Sequence, residues 1–157
     1  GSEAIGKTLR AVVATWIGFG CWRLHRLPKT PGRLPLWIWV AGWFLVVGLW
    51  TYALFPNLGV HAAHLFFMGG YGLMTLMIGS RVSLAHGGFS PEIEIRSPIF
   101  TATGVFIVIA MLTRVMSVVT PKTYTRHLGY AALSWITAMA IWGWFFIPKI
   151  FFRSSAK

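Results

Sequence analysis

Residues 34 to 80 read LPLWIWVAGWFLVVGLWTYALFPNLGVHAAHLFFMGGYGLMTLMIGS and contain no lysine, arginine, aspartate or glutamate. A membrane-spanning helix needs about 20 consecutive apolar residues, so this stretch is too long for one span and suits two. A turn-forming segment, residues 55–59, divides it and contains Pro56, Asn57 and Gly59. We therefore predict two consecutive transmembrane helices, over residues 35–55 and 60–85.

The composition of the whole chain points to the same environment. Of its 157 residues, 56% are hydrophobic and 11% are charged, whereas charged residues make up about 25% of an average soluble domain. A water-soluble globule could not cover its apolar residues with so little charge. The net charge of +11 would suggest nucleic acid in a soluble protein. Here the basic residues occupy loops between apolar runs, so we expect contact with a lipid bilayer and no nucleic-acid partner.

Two further helices follow the charge-free stretch. Ser97 is a favourable N-cap and Pro98 suits the first helical position, which predicts a helix over residues 97–119. The segment 120–122, Thr-Pro-Lys, ends it. A last helix is predicted over residues 126–147, ending before Pro148.

The N-terminal segment has a shorter uninterrupted apolar run than the other predicted helices. A helix over residues 2–24 could span if Lys7 and Arg10 extend to the interface and Glu3 pairs with Lys7. The alternative is a signal peptide, but Arg23 interrupts it and no small-x-small cleavage site follows. The predicted fold class is all-α: a polytopic transmembrane helical bundle of about five spans, forming a single domain over residues 1–157.

The basic residues give the expected orientation, because consecutive spans alternate in direction. Nine lie on one face: Arg23, Arg26, Lys29, Arg33, Arg81, Arg96, Lys149, Arg153 and Lys157. Five lie on the other: Lys7, Arg10, Arg114, Lys122 and Arg126. Cytoplasmic loops carry the excess of lysine and arginine. We therefore expect a cytoplasmic C-terminus and a periplasmic turn at residues 56–59.

Few residue types in this chain are candidates for catalysis or ligand binding. The three acids, Glu3, Glu92 and Glu94, lie outside the four helices predicted between residues 35 and 147, which argues against catalysis by paired carboxylates. No phosphate-binding loop, CxxC or GxSxG motif is present. Histidines and a few arginines remain, and the residues leave open whether any reaction is catalysed.

The third predicted helix carries the densest pattern of candidates. At about 100° per residue, one quadrant holds His61, His64, Met68, Gly72, Thr75, Gly79, Val82 and His86. Small residues between histidines would let either a flat cofactor or a neighbouring helix approach closely. The pattern therefore fits a cofactor site, or a packing seam with incidental histidines.

Helix geometry limits the possible metal sites. His64 and His86 are 22 residues apart, about 33 Å along a helix, so they cannot bind one ion. His61 and His64 can share a site, because imidazoles one turn apart suit copper, iron or zinc. Alternating spans place Arg114 and His127 at the same membrane face as this pair. Arg114 either extends to the interface or pairs with an anionic group such as a haem propionate.

The third helix resembles the NnrS family of bacterial membrane proteins. The resemblance rests on His64, Gly69-Gly70-Tyr71-Gly72, Leu73-Met74-Thr75-Leu76, Arg81 and Leu84-Ala85-His86-Gly87. The motifs cover residues 61–88, and the rest of the chain agrees in helix order and hydropathy. His61 is not part of the family pattern.

This resemblance implies an inner-membrane protein that contains haem b and copper and helps cells to withstand nitric oxide and nitrosative stress. His64 and His86 are the ligands it favours. Family members have more spans, and the five predicted here resemble their C-terminal part. The chain is then a fragment, a short relative or a subunit, and its partners would be the missing N-terminal helices, further copies or a larger complex.

Two other functions fit the same residues. One is a b-type electron-transfer cytochrome, with histidines from two helices on one haem. The other is a non-enzymatic membrane subunit whose histidines are incidental. The first would show a Soret band in the purified protein and the second would not.

Overall fold

A computed structural model describes residues 2–151, which form helices and no strand. Within this range lie seven α-helices: α1 (Ser2–Trp16), α2 (Arg33–Leu54), α3 (Gly59–His64), α4 (Leu73–His86), α5 (Glu92–Arg96), α6 (Pro98–Met116) and α7 (Tyr124–Phe151). Four continuous helical stretches are long and apolar enough to cross a membrane: Arg33–Leu54, Pro56–His86, Pro98–Met116 and Pro121–Phe151. The prediction of an all-α transmembrane bundle is confirmed.

The helix ends follow the local sequence. A single 3₁₀ turn, Pro56–Leu58, separates α2 from α3. The first residue after α4 is Gly87, and Gly88 follows with a φ of +72°, a left-handed conformation that glycine adopts without strain. Ser97 precedes α6 in an extended conformation, and Pro98 is its first residue. These are the turn and cap positions expected from the sequence.

Pro148 does not end the last helix, contrary to expectation. α7 continues through it to Phe151. Proline removes one backbone donor and crowds the preceding turn, and the helix ends within one turn of it, at Phe151. Lys149 also donates from Nζ to the carbonyl oxygen of Phe145, at 3.2 Å.

The first helix is shorter than the predicted range of 2–24. α1 ends at Trp16 and continues as a π-helical turn, Ile17–Cys21. The expected ion pair is present, with 2.9 Å between Lys7 Nζ and Glu3 Oε1. Lys7 Nζ also lies 4.4 Å from the ring centre of Tyr52.

α1 runs antiparallel along α2. The start of α1 lies beside the end of α2, where Lys7 meets Tyr52. Beyond the π-helical turn, the indole nitrogen of Trp39, near the start of α2, donates to the carbonyl oxygen of Leu24 at 2.8 Å. The segment 22–32 therefore leaves α1 alongside the first turns of α2.

The third long helix is not uniform. Between α3 and α4 lies an eight-residue π-helix, Leu65–Gly72. A π-helix has more residues per turn than an α-helix, so the residues of α4 are rotated away from the α-helical register. The buried residues from Phe66 onward are Phe66, Gly69, Gly70, Leu73, Met77, Ser80 and Leu84.

The predicted small-residue face therefore does not form one continuous seam. Its second half, Thr75, Gly79, Val82 and His86, is exposed. The packing seam runs instead through Gly69 and Gly70. A Cβ atom on Gly70 would lie 3.0 Å from the Cα of Leu45 in α2, so these two helices pack with their backbones close together.

The hydrophobic core lies toward the end of the bundle where α2 begins and α4 ends. Its buried residues are Leu34, Ala41, Leu73, Met77, Leu84, Phe100, Ile107, Ala138 and Phe146. One polar link crosses it: Trp142 Nε1 donates to Ser80 Oγ at 2.8 Å, and that hydroxyl donates to the carbonyl oxygen of Leu76 at 2.6 Å. This link satisfies both polar side chains.

The close approach of α2 to the π-helix predicts how two glycine substitutions change stability. Gly48→Ala would place a Cβ 2.6 Å from the backbone nitrogen of Phe66, and we expect a loss of about 1–3 kcal/mol by overpacking. Gly79 also lies in a helix, but a Cβ added there would face open space among the described residues. Gly79→Ala should therefore leave stability unchanged or raise it by up to about 1 kcal/mol. Thermal unfolding of both variants in detergent checks this, and equal effects would contradict the close approach.

Candidate functional site

Polar side chains converge at the end of the bundle where α3 begins and α6 ends. His61 and His64 lie on α3, and Arg114 lies in the last turn of α6. Direct hydrogen bonds join both histidines to Arg114. The structure thus brings together three of the four residues that the alternating topology assigned to one face.

His64 is held by both ring nitrogens. Its Nδ1 lies 2.6 Å from the carbonyl oxygen of Val60, and a carbonyl can only accept, so we assign the ring proton to Nδ1. The lone pair of Nε2 then accepts from Arg114 Nε–H at 3.1 Å. An Nδ1–H bound to a backbone carbonyl is the arrangement that orients histidines for metal binding through Nε2.

His61 is fixed one turn earlier. Its Nδ1 lies 3.2 Å from the carbonyl oxygen of Arg114 and 3.2 Å from the hydroxyl oxygen of Ser117. The buried hydroxyl of Ser117 donates to the same carbonyl at 2.7 Å. His61 therefore donates from Nδ1 and ties α3 to the end of α6.

Arg114 has unused hydrogen-bonding capacity. Its Nε donates to His64, and the guanidinium carbon lies 5.9 Å from the ring centre of Tyr124. Its Nη1 is buried and has no hydrogen-bond partner among the described residues. A buried guanidinium nitrogen without an acceptor is costly. The arrangement favours an anionic or strongly accepting ligand beside Arg114.

A cavity of about 650 Å³ lies against His64. Its lining residues are Tyr52, Gly59, Val60, Ala63, His64, Phe67, Met68 and Trp135. The volume lies within the range of roughly 300–1,000 Å³ that is typical of cofactor and ligand sites. His64 provides the one imidazole among these residues, so the cavity is an apolar space with a single nitrogen ligand.

His127 belongs to the same end of the bundle but to a separate contact. Its Nε2 lies 2.8 Å from the hydroxyl oxygen of Thr120, and its Nδ1 is buried with no partner among the described residues. No hydrogen bond of the described residues connects it to His61 or His64. Within residues 2–151, no three histidine, cysteine, aspartate or glutamate side chains lie close enough to bind one metal ion.

The other two histidines lie away from this cluster. His86 is exposed at the end of α4, with its Nδ1 2.9 Å from the carbonyl oxygen of Val82. His25 is exposed and stacks on Phe19, with ring centres 5.8 Å apart. His64 and His86 thus sit at opposite ends of one helical stretch.

A family model described as NnrS protein matches residues 3–153, nearly the whole chain. The chain belongs to the NnrS family. It is therefore a helical membrane protein of a family linked to the nitric oxide response. Neither the comparison with curated proteins nor that with solved structures finds a match.

The residues that carried the NnrS resemblance separate into two groups in the structure. His64 and the glycine-rich π-helix lie at the cavity. Arg81 and His86 lie toward the other end, where Arg81 Nε is 3.6 Å from Glu94 Oε2. His86 as a cofactor ligand thus stays a prediction for a separate site.

Sequence reasoning missed several residues of the site. Ser117 lies three positions after Arg114, close to one helical turn, and this spacing is the signal that could have identified it. Tyr52, Tyr124 and Trp135 come from other helices and carry no local motif, so only the tertiary contacts reveal them.

The hydrogen bond between Arg114 and His64 predicts energetic coupling. In the cofactor-free protein, a double-mutant cycle of His64→Ala and Arg114→Gln should give an interaction energy of about 0.5–3 kcal/mol, as for residues in direct contact. The matched cycle of His86→Ala and Arg114→Gln should be additive within about 0.5 kcal/mol, because His86 lies at the opposite end. Denaturant unfolding in detergent measures both cycles. Additivity in the first would rule out the contact.

Proposed function

We propose that the chain holds haem b at the cavity lined by His64, as part of an inner-membrane protein that helps cells to withstand nitric oxide. The supporting observation is that His64 both lines an apolar cavity and accepts a hydrogen bond from Arg114, whose Nη1 is buried with no partner among the described residues. Membership of the NnrS family adds the biological context.

The residues present fit a haem. Haem iron in proteins is often held by a histidine, and the haem ring suits an apolar space. Nε2 of His64 would be the ligand, in place of its present hydrogen bond with Arg114 Nε–H. Arg114 would then offer its whole guanidinium to a propionate. The apolar lining, which includes Phe67 and Trp135, would contact the haem ring.

A single histidine distinguishes this proposal from an electron-transfer cytochrome. Such cytochromes hold the haem iron between two protein ligands, whereas the cavity lining offers one imidazole. Met68 is also on the lining, but it lies four residues after His64 on the same helical stretch. A haem held by His64 alone would be able to bind nitric oxide at its iron.

The residues fit copper less well. His61 and His64 are two imidazoles on one turn, and no third histidine, cysteine or carboxylate joins them within residues 2–151. A copper ion bound by these two residues alone would be incompletely coordinated. We therefore assign haem, and not copper, to this end of the bundle.

The proposed orientation places the cavity on the periplasmic side and the C-terminus in the cytoplasm. Its support is the excess of basic residues at the α2 start and α4 end. Arg153, Lys157 and the C-terminus itself lie outside the described residues. Further transmembrane helices, from a longer chain, other copies or a larger complex, are the partners we propose for the exposed apolar surface.

The haem assignment predicts which histidine matters. His64→Ala should lose most of the haem, because it removes the one nitrogen ligand at the cavity. His61→Ala should keep most of it, because His61 bonds to the backbone of Arg114 and to Ser117. The haem-to-protein ratio and the Soret band of detergent-purified protein measure both.

The matched control is His25→Ala, an exposed histidine at the opposite end, which should keep full occupancy. Full occupancy in His64→Ala would show that the ligand is wrong. A protein that shows no Soret band when it is produced with ample haem would overturn the haem proposal and favour a non-enzymatic subunit.

The orientation predicts accessibility of the turn between α2 and α3. In a Cys21→Ser background, a cysteine introduced by Asn57→Cys should react with a membrane-impermeant maleimide added from the periplasmic side. A cysteine introduced by Ser90→Cys, between α4 and α5, should react only after the membrane is permeabilised. The reverse labelling pattern would invert the topology.

A further inference from the structure

A second cavity, of about 610 Å³, lies at the other end of the bundle between the segment 22–32, α2 and α4. Four cationic side chains line it: Arg23, Arg26 and Lys29 from the segment, and Arg81 from α4. Ile38 of α2 and Ile78 of α4 belong to its apolar wall. The cavity therefore combines a cluster of positive charges with an apolar surface.

The positive charge of this cavity is mostly uncompensated. Arg81 pairs with Glu94 at 3.6 Å. Among the residues that the structure describes, no ion pair involves Arg23, Arg26 or Lys29. No acidic side chain belongs to the cavity lining. The four cationic side chains are exposed, so the cavity presents positive charge that an anion from outside the described part of the chain could reach.

One of these cations, Arg23, has an unusual backbone conformation. Leu24 N donates to the carbonyl oxygen of Gly18 at 2.9 Å, which ends the first helix with Arg23 at a φ of 54°. Glycine is the usual residue at such left-handed helix ends, and an arginine there is strained. The residue at this helix end is thus one of the four cations that line the cavity.

Exposed apolar side chains lie beside the cations on the lining of this cavity. Trp22 and Leu27 line it and are 49% and 71% exposed, so apolar side chains flank the cations on the outer surface. Trp39, also on the lining, is anchored by its bond to Leu24. Tryptophans and arginines in such a band are typical of the headgroup level of a membrane.

We propose that this cavity binds the phosphate headgroup of an anionic phospholipid, with an acyl chain along the wall formed by Ile38 and Ile78. Guanidinium groups bind phosphate oxygens in pairs of parallel hydrogen bonds. A free phosphate ion would satisfy the cations but leave the apolar wall uncovered. The proposal does not depend on the haem site, which lies at the opposite end.

The test measures lipids retained by the purified full-length chain. In native mass spectrometry after detergent extraction, phosphatidylglycerol should remain bound in preference to phosphatidylethanolamine. The double variant Arg23→Gln/Arg26→Gln should reduce that retention by roughly tenfold or more, since each basic residue near the surface contributes to binding of anionic lipid. The control Arg10→Gln/Arg126→Gln removes the same charge from exposed positions at the other end and should retain lipid as the unchanged protein does.

A second measurement uses the unchanged protein, so it does not depend on how well the variants fold. Added phosphatidylglycerol should raise the Tm in detergent more than phosphatidylethanolamine does, while inorganic phosphate at the same concentration should not. An equal shift with inorganic phosphate would indicate a soluble anion site and overturn the lipid assignment. Equal retention in both double variants, or no preference between the two lipids, would also overturn it.

Discussion

The close approach of α2 to the π-helical segment is the contact on which the rest of the bundle depends. Lipid chains are as apolar as leucine, so transmembrane helices associate through close packing and hydrogen bonds rather than by escape from water. Gly48 and Gly70 allow this packing, because a Cβ on either would press on the facing backbone or Cβ atoms. α2 also contacts α1, α4 and α6, and α7 packs mainly on α6, so the close approach lies at the centre of these contacts.

The π-helix has a direct consequence for the site. Its wider turns end at Gly72 and begin directly after His64, so α3 and α4 present different faces to their neighbours. The histidines of α3 lie against the end of α6, where they form hydrogen bonds with Arg114 and Ser117. α4 instead buries Leu73, Met77 and Leu84 in the core. One helical stretch thereby serves a polar site at one end and a packed core at the other. π-helical segments are frequent at functional sites.

Sequence patterns predicted the order and approximate positions of the helices, because charge-free runs and Pro–Gly turns mark them. They also grouped His61, His64 and Arg114 at one membrane face. They did not predict the π-helix, since no residue pattern specifies where a helix widens. The face extrapolated from His61 to His86 assumed an α-helical register and therefore did not describe the packing beyond Gly72. The contact between Arg114 and His64 depends on the packing of α6 against α3, which no local pattern encodes.

The shortage of acids leaves cations without an acidic partner at both ends of the bundle. The chain has fourteen lysines and arginines and three acids. Glu3 is paired with Lys7, and Glu94 lies near Arg81, which leaves Glu92 for all the other cations. Exposed cations such as Arg126 can be solvated by water or by lipid phosphates. The Nη1 of Arg114 is different, because it is buried without a partner among the described residues while Nε donates to an imidazole. A buried donor of a cation is costly in a low-dielectric environment unless an acceptor joins it. An anionic ligand at this guanidinium would remove that cost.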